Sequence, residues 1–416
     1  MRRIRVLQAD ELERCVELSV QAYPGMRVST ALERSRMRDN LAAAVQDGRF
    51  ALRGVFEAEH MVGVMRYHDF RMQLLSTRTL VGGLGGLAVD LGHRRRHVAL
   101  DAVRHFLGHY RERGACLTAL YPFRPDFYRR MGFGYGTKVS HYRLDPRALP
   151  AGTADRSPDH ATQADADDLA ACYDRFVDRT NGMMERPRAW WSRVLDDPSL
   201  RVVATRRDGR IGGYLVFRFE LGPPDDFLHH DLLVHELVFD TPGDLTALLG
   251  FLRSLSDQVG RVLVNRQDED FHLLLNDPRN GSGRLLPRAT AHESNVQGVG
   301  LMYRVTDVRR LFEVLTDHDF GGQSCRVRLT VRDDFPDGIA GSTVVDFDAG
   351  RARLATAGAC DVELALGAAE LSSLIVGAAS VHALVRYGLA TVSSARHLAT
   401  LERLFAAPRP QCLTDF

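Results

Sequence analysis

Lysine is almost missing from this chain of 416 residues: Lys138 stands alone, and every other one of the 54 basic residues is an arginine. Arginine keeps its charge at any working pH and offers a planar fork that matches carboxylates and phosphates, so anionic groups can be met locally and in pairs of hydrogen bonds. A bulk charge of one sign is lacking too. The 54 basic residues face 53 acidic ones, a formal net charge of +1, which removes any general pull toward nucleic acid or an anionic membrane. The six cysteines (Cys15, Cys116, Cys172, Cys325, Cys360, Cys412) form no CxxC pair and no metal-ligand spacing, so free thiols in a reducing cytoplasm are expected. No apolar run reaches the roughly 18 residues of a membrane span. The opening MRRIRVLQADELERCVELSV becomes a charged helix pattern instead of the apolar stretch of a secretory leader. A cytoplasmic protein with no membrane and no nucleic-acid partner is the expectation. His229, His230 and His235 lack the HExxH arrangement, and no metal is expected. GGLGG at 82–86 is not GxGxxG, which argues against a dinucleotide fold.

Hydrophobic residues make up 45% and charged residues 26% of the chain, enough for two or three separate cores at this length. Periodicity divides the chain into three stretches. Residues 1–147 read as a strand, helices, a hairpin (RFALRGVFEAEHMVGVMRYHDFRMQL), a glycine-rich strand (TRTLVGGLGGLAVD), a helix over about 94–112 and a strand at CLTALYP. Proline and turn residues mark a linker at 145–160. Over 160–298 the order partly recurs, with a hairpin turning at Asp208-Gly209 and a strand-to-helix turn, FDTPGDLTAL, that has no arginine. Over 299–416, β segments separated by PDG and DAG turns precede apolar helices. The class is α/β (α+β).

One stretch carries a chemical signal. In LAVDLGHRRRHVALDAVRHFL, Val98, Val103, Phe106, Leu107 and Tyr110 share a helical face, which places Arg94 to Ala99 at the helix start. A strand ending at a helix N-terminus presents unpaired N–H groups and the positive end of a dipole. Arginines are unfavourable there unless an anion neutralises them, so a pyrophosphate site is expected.

About 30 residues on, FYRRMGFGYG resembles the C-terminal signature of the GCN5-related N-acetyltransferases (Y-x-x-x-G-F), and the arginine-rich turn stands where that family has its Q/R-x-x-G-x-G/A acetyl-CoA pattern. The whole-chain order, together with NGMMERPRAWW and the final CLTDF, resembles the enhanced intracellular survival (Eis) family of aminoglycoside N-acetyltransferases. That resemblance implies tandem acetyltransferase folds, with an active copy over 1–147, a degenerate second copy over 160–298 and a sterol-carrier-like domain over 299–416. It implies acetyl-CoA as co-substrate, a small-molecule amine such as an aminoglycoside or similar polyamine as acceptor, and a homo-oligomer, a hexamer.

Carried over by position, the resemblance implies that Leu87, Ala88 and Val89 pair with the acetyl-pantetheine amides. Arg94, Arg95, Arg96, His97 and Ala99 then surround the pyrophosphate. Tyr128 becomes the general acid that protonates the departing thiolate, and the α-carboxylate of Phe416 the base that takes a proton from the amine. Asp415 adds negative charge for a cationic substrate. The assignment makes chemical sense, because an ammonium must lose a proton before it can attack a thioester. Two positions depart from the family pattern: His97 stands where it has glycine, and Gly92 where proline is common. A β-carbon and imidazole at 97 crowd the cofactor and count toward a fold without acetyl transfer, although a residue inside a helical first turn needs no positive φ and still offers its backbone N–H. The alternative is a degenerate acetyltransferase fold that binds a small molecule or partner without acetyl transfer.

Overall fold

The computed structural model describes residues 2–152, 157–220, 230–286, 290–356 and 358–416, so His229 and part of the expected linker at 145–160 lie outside the described residues. Along the chain come β1 (Arg3–Val6), α1 (Leu12–Ala22), α2 (Ala31–Gln46), β2 (Ala51–Glu57), β3 (His60–Leu74), β4 (Thr77–Val89), α3 (Val98–Glu112), β5 (Leu117–Leu120), α4 (Pro125–Arg129) and β6 (Gly134–Tyr135). Next are β7 (Lys138–Leu144), β8 (Asp159–His160), α5 (Ala166–Arg179), α6 (Ala189–Asp196), β9 (Arg201–Arg207), β10 (Arg210–Glu220), β11 (His230–Phe239), α7 (Pro242–Ser254), β12 (Val259–Arg266) and β13 (Asn295–Val299). The last stretch holds β14 (Met302–Val305), α8 (Val308–Val314), β15 (Cys325–Arg332), β16 (Gly341–Asp348), β17 (Arg351–Leu354), β18 (Val362–Gly367), α9 (Ala368–Ile375), α10 (Val381–Arg386), β19 (Ala390–Val392) and α11 (Leu398–Leu404). None of the described helices is long and apolar enough to cross a membrane.

Two compact units result. One contains Met1–Gly136, Leu301–Pro408 and Thr414–Phe416; the other contains Thr137–Gly300 and Arg409–Leu413. The first unit is built on a seven-stranded sheet in the order β1-β2-β3-β4-β5-β14-β6 and a five-stranded sheet in the order β17-β16-β15-β18-β19. In the seven-stranded sheet β4 and β5 are parallel, joined by α3 as the crossover helix. β14, about 180 residues further along the chain, slots antiparallel between β5 and β6, with Met302 opposite Leu120 on one side and Tyr135 on the other.

The side chains that define α3's expected face, Val98, Val103, Phe106, Leu107 and Tyr110, are all buried against this sheet. Each contributes on the order of 1.5–3 kcal/mol on removal from water. Where the two sheets meet, Arg304 of β14 is wholly buried and pairs with Asp333 at 2.7 Å. Ser372 Oγ accepts from the Val305 amide at 2.9 Å, and Ser373 Oγ donates to the Tyr135 carbonyl at 2.8 Å. These bonds hold α9 against the seven-stranded sheet of the same unit.

The second unit is a seven-stranded sheet in the order β13-β7-β12-β11-β10-β9-β8. It repeats the parallel pair, β11 with β12, and their crossover helix, α7.

Candidate active site

The parallel pairing of β4 with β5 begins at Val81 opposite Leu117 and stops at Leu84 opposite Leu120. β4 itself runs on to Val89, so its last residues have no partner on that side. On the β3 side the register passes from Val64 opposite Ala88 to Arg66 opposite Gly85, leaving Met65 to face both Gly86 and Leu87. This is a β-bulge, and its first residue, Gly86, takes φ +53°, a left-handed conformation open to glycine at no steric cost. The bulge and the missing partner open a cleft of about 680 Å³, floored by Gly85, Gly86 and Leu87 and walled by Tyr23, Arg66, Tyr121, Tyr128 and Phe416 among others.

Main-chain polarity inside the cleft follows from the ladder. Asp90 donates to the Val62 carbonyl at 2.9 Å, and Ala88 lies opposite Val64. Antiparallel strands alternate in which residues face the partner, so Ala88 turns its amide toward β3 while Leu87 and Val89 turn theirs the other way. The Leu87 carbonyl accepts from the Tyr23 hydroxyl at 2.8 Å.

Tyr128 sits on α4, which opens with Pro125 at its first position. Its ring is buried, packed edge-on against Phe123, Phe127 and Phe133 at 5.7, 5.1 and 5.9 Å between centroids. The Met131 and Phe133 amides both bond back to its carbonyl, which is how the MGF turn fixes the ring. Burial pushes the phenol pKa far above the ordinary tyrosine value, so the hydroxyl keeps its proton.

Phe416 reaches the same cleft. Its ring packs against Phe70, Tyr121 and His68 at 4.8, 5.3 and 5.4 Å, and the Tyr121 hydroxyl donates to the Thr414 carbonyl at 3.1 Å. Its carboxyl carbon lies so close to β4 that a Cβ on Gly85 would stand 3.2 Å from it.

The other residues expected at the site do not line this cleft. Ala88 is buried within the ladder and Val89 is half-buried at its end. Arg94, Arg95, Arg96 and His97 are exposed in the turn before α3, and Ala99 is half-buried in that helix. Asp415 is exposed.

One expectation needs correction. The helix starts at Val98, not at Arg94, and His97 is its N-cap with φ +62°, preceded by Arg95 at φ +61°. Glycine suits the place because an L side chain is strained in that region, by roughly 1–2 kcal/mol. The turn still fits an anion. His97 provides no side-chain cap, which leaves the first N–H groups of α3 without one. Among the described residues, no carboxylate lies within ion-pair distance of Arg94, Arg95 or Arg96, although Arg2, which donates to the Arg96 carbonyl at 2.7 Å, pairs with Glu57 and Asp101.

The corresponding place in the second unit is filled by the chain itself. Thr241 caps α7 and forms a reciprocal pair with Asp244, whose carboxylate accepts from the Thr241 hydroxyl at 2.6 Å. Beyond Val234, where β11 parts from β12, Glu236 is buried in an ion pair with Arg186 at 2.6 Å and accepts from the Tyr214 hydroxyl at 3.0 Å. Past the end of β12, Gln267 exchanges two hydrogen bonds with the main chain of Cys412, at 2.6 and 3.0 Å. A helix terminus and cleft satisfied in this way offer an anion little. Among the described residues no cluster of histidine, cysteine, aspartate or glutamate could hold a metal ion.

Sequence reasoning missed Tyr23, Arg66, His68 and Gly85. None of these stood out in the sequence: β3 also holds His68, Asp69, Arg71 and Gln73, so Arg66 is one of several polar residues along it.

Comparison with known proteins defines the class. Residues 3–136 and 182–305 each match a family model described as an acetyltransferase (GNAT) domain, and residues 311–413 match a sterol carrier protein domain. The two acetyltransferase matches together take in more than half of the chain, which belongs to the GCN5-related N-acetyltransferases. An uncharacterized N-acetyltransferase of Streptomyces griseus subsp. griseus is 29% identical over 390 residues, 86% of this chain and 88% of that protein. Another, from Streptomyces avermitilis, is 28% identical over 232 residues, about half of each protein at 52% and 54%. Among solved structures, a GCN5-related N-acetyltransferase from Kribbella flavida superimposes with a TM-score of 0.79 at 21% identity, over 100% of this chain and 98% of that one. Eis1 from Mycobacterium abscessus does so with 0.75 at 22% identity, over 100% of both chains. The fold is therefore Eis-like: tandem acetyltransferase folds followed by a sterol-carrier-like domain.

Proposed function

We propose that the first acetyltransferase fold transfers an acetyl group from acetyl-CoA to a primary amine, with Tyr128 as general acid and the Phe416 carboxylate as general base. The observation that carries this reading is the convergence of a protonated phenol and a carboxylate on one cleft beside the unpaired end of β4. Acetyl-CoA, when bound, supplies a thioester whose C–S bond breaks as the new amide C–N bond forms.

The chain's own groups manage protons and charge. The Phe416 carboxylate takes a proton from the incoming ammonium and leaves a nucleophilic amine. The outward-turned N–H groups of Leu87 and Val89 donate to the oxygen on which negative charge builds. Tyr128 gives its proton to the leaving thiolate and regains one from the amide nitrogen, so one proton is released per turnover. Arg94, Arg95 and Arg96, with the uncapped start of α3, would hold the pyrophosphate by charge and backbone N–H donation. Aminoglycosides, the acceptor class implied by the family resemblance, belong in the first panel of amines.

Two measurements test the reading. Calorimetry with acetyl-CoA should show saturable binding, and release of free thiol should depend on an added primary amine. No binding at millimolar acetyl-CoA would overturn it in favour of a fold that has lost acetyl transfer.

A further inference from the structure

The charges around the cleft are few and specific. Among the described residues its lining contains no aspartate or glutamate side chain, and Arg66 is its single cationic side chain. Arg66 lies mid-strand in β3, half-buried, with the Phe50 ring 5.1 Å from its guanidinium carbon. No carboxylate of the described residues, that of Phe416 included, comes within ion-pair distance of it. Burial draws its pKa below the usual arginine value, against smaller raising influences from Cys15 and Tyr23. A half-buried guanidinium that lines the cleft with no anion beside it leaves its N–H fork free to take a ligand carboxylate.

Position sharpens the point. A Cβ on Gly86 would lie 3.1 Å from Arg66 Nε, and a Cβ on Gly85 would lie 3.2 Å from the Phe416 carboxyl carbon. One cation and one anion thus stand over consecutive glycines of β4, unpaired with each other. The mouth is apolar, with Met26 and Phe123 exposed there at 43% and 58%.

We infer that the acceptor is a zwitterionic amine of the amino-acid class, its ammonium directed to Phe416, its carboxylate to Arg66, and its aromatic or aliphatic body to Met26 and Phe123. This rests on the preceding reading of the cleft as the site of acetyl transfer. Arginine's fork matches a carboxylate with two parallel hydrogen bonds. A polycation would bring several positive charges into a lining that offers a single anion and a repelling guanidinium.

The test uses a matched pair of acceptors, phenylalanine and phenethylamine, which differ only in the carboxylate, together with kanamycin as a polycation. Thiol release from acetyl-CoA gives kcat/KM for each. The expected result is a preference for the amino acid over its decarboxylated partner of about tenfold or more, the usual scale for a charge-assisted contact. Arg66→Met should bring that ratio close to one, and Arg66→Lys should restore part of it. Acetyl-CoA binding by calorimetry reports that each variant is folded. Equal or faster turnover of phenethylamine or kanamycin by the wild type would overturn the zwitterion while leaving acetyl transfer intact, as would an unchanged ratio in Arg66→Met. Failure to bind acetyl-CoA and to turn over any amine would instead overturn the transferase reading, and the zwitterion with it.

Discussion

The carboxyl carbon of Phe416 and the backbone of Gly85 are in near contact: a β-carbon on Gly85 would stand 3.2 Å from the former and 3.0 Å from His68 Nε2. Gly85→Ala should therefore push the last residue and His68 out of place. Overpacking of this kind costs about 1–3 kcal/mol, whereas a displacement approaching 1 Å at a reacting group can cost about 100-fold in rate. Steady-state kinetics beside a thermal melt should show kcat/KM falling much further than stability. An unchanged kcat/KM would mean that Gly85 does not set the position of the carboxylate.

Tyr128→Phe removes one hydroxyl and leaves the aromatic packing with Phe123, Phe127 and Phe133 in place. The melting temperature should hardly move, and kcat should drop by about 100-fold or more, the usual span for a positioned acid. Because burial raises the Tyr128 pKa, the acid form persists to higher pH than a free phenol would allow. The wild-type kcat profile should show no alkaline decline below about pH 9. An earlier decline that Tyr128→Phe abolishes would contradict this assignment.

His97→Gly should relieve the left-handed strain at φ +62°. The expected gain is about 1 kcal/mol of stability, measurable by denaturant unfolding, with acetyl-CoA affinity equal to or better than that of wild type. Weaker cofactor binding would show that the imidazole itself contributes to the site.

His68 gives a pH dependence whose sign can be worked out. Burial, with help from Arg66, lowers its pKa to about 4, and Nε2 is buried without a hydrogen-bond partner. Between about pH 6.5 and 4 the unfolded chain binds a proton that the folded chain refuses. The stability associated with this group is thus fully present above about pH 6.5 and is lost as pH falls toward 4. Denaturant unfolding at pH 4.5 and 7 should show a smaller difference in His68→Gln than in wild type. An identical difference in both would locate the pH dependence elsewhere.

Much of the layout was legible because it is local. The five apolar positions of α3 reported their own buried face, the Asp208-Gly209 hairpin and the glycine-rich strand β4 were read as built, and the family resemblance singled out Tyr128 and Phe416. What escaped depends on distant segments. Nothing near Met302–Val305 announces that this strand will insert between β5 and β6, since the partners lie about 180 residues upstream. Arg66 looked like any arginine of a strand until the bulge at Gly86 turned that part of the ladder into a cleft wall. His97 was misjudged because helix ends are poorly fixed by periodicity: a start four residues later moved it from the first turn to the cap.

The most direct test adds one residue after Phe416 and measures acetyl-CoA turnover and acetyl-CoA binding on the same preparation. The extension moves the α-carboxylate away from Gly85 while leaving Tyr128, the β4 bulge and the arginine turn untouched. Near-complete loss of turnover with acetyl-CoA affinity retained is the predicted result. Full activity in the extended chain would contradict the terminal carboxylate as the base.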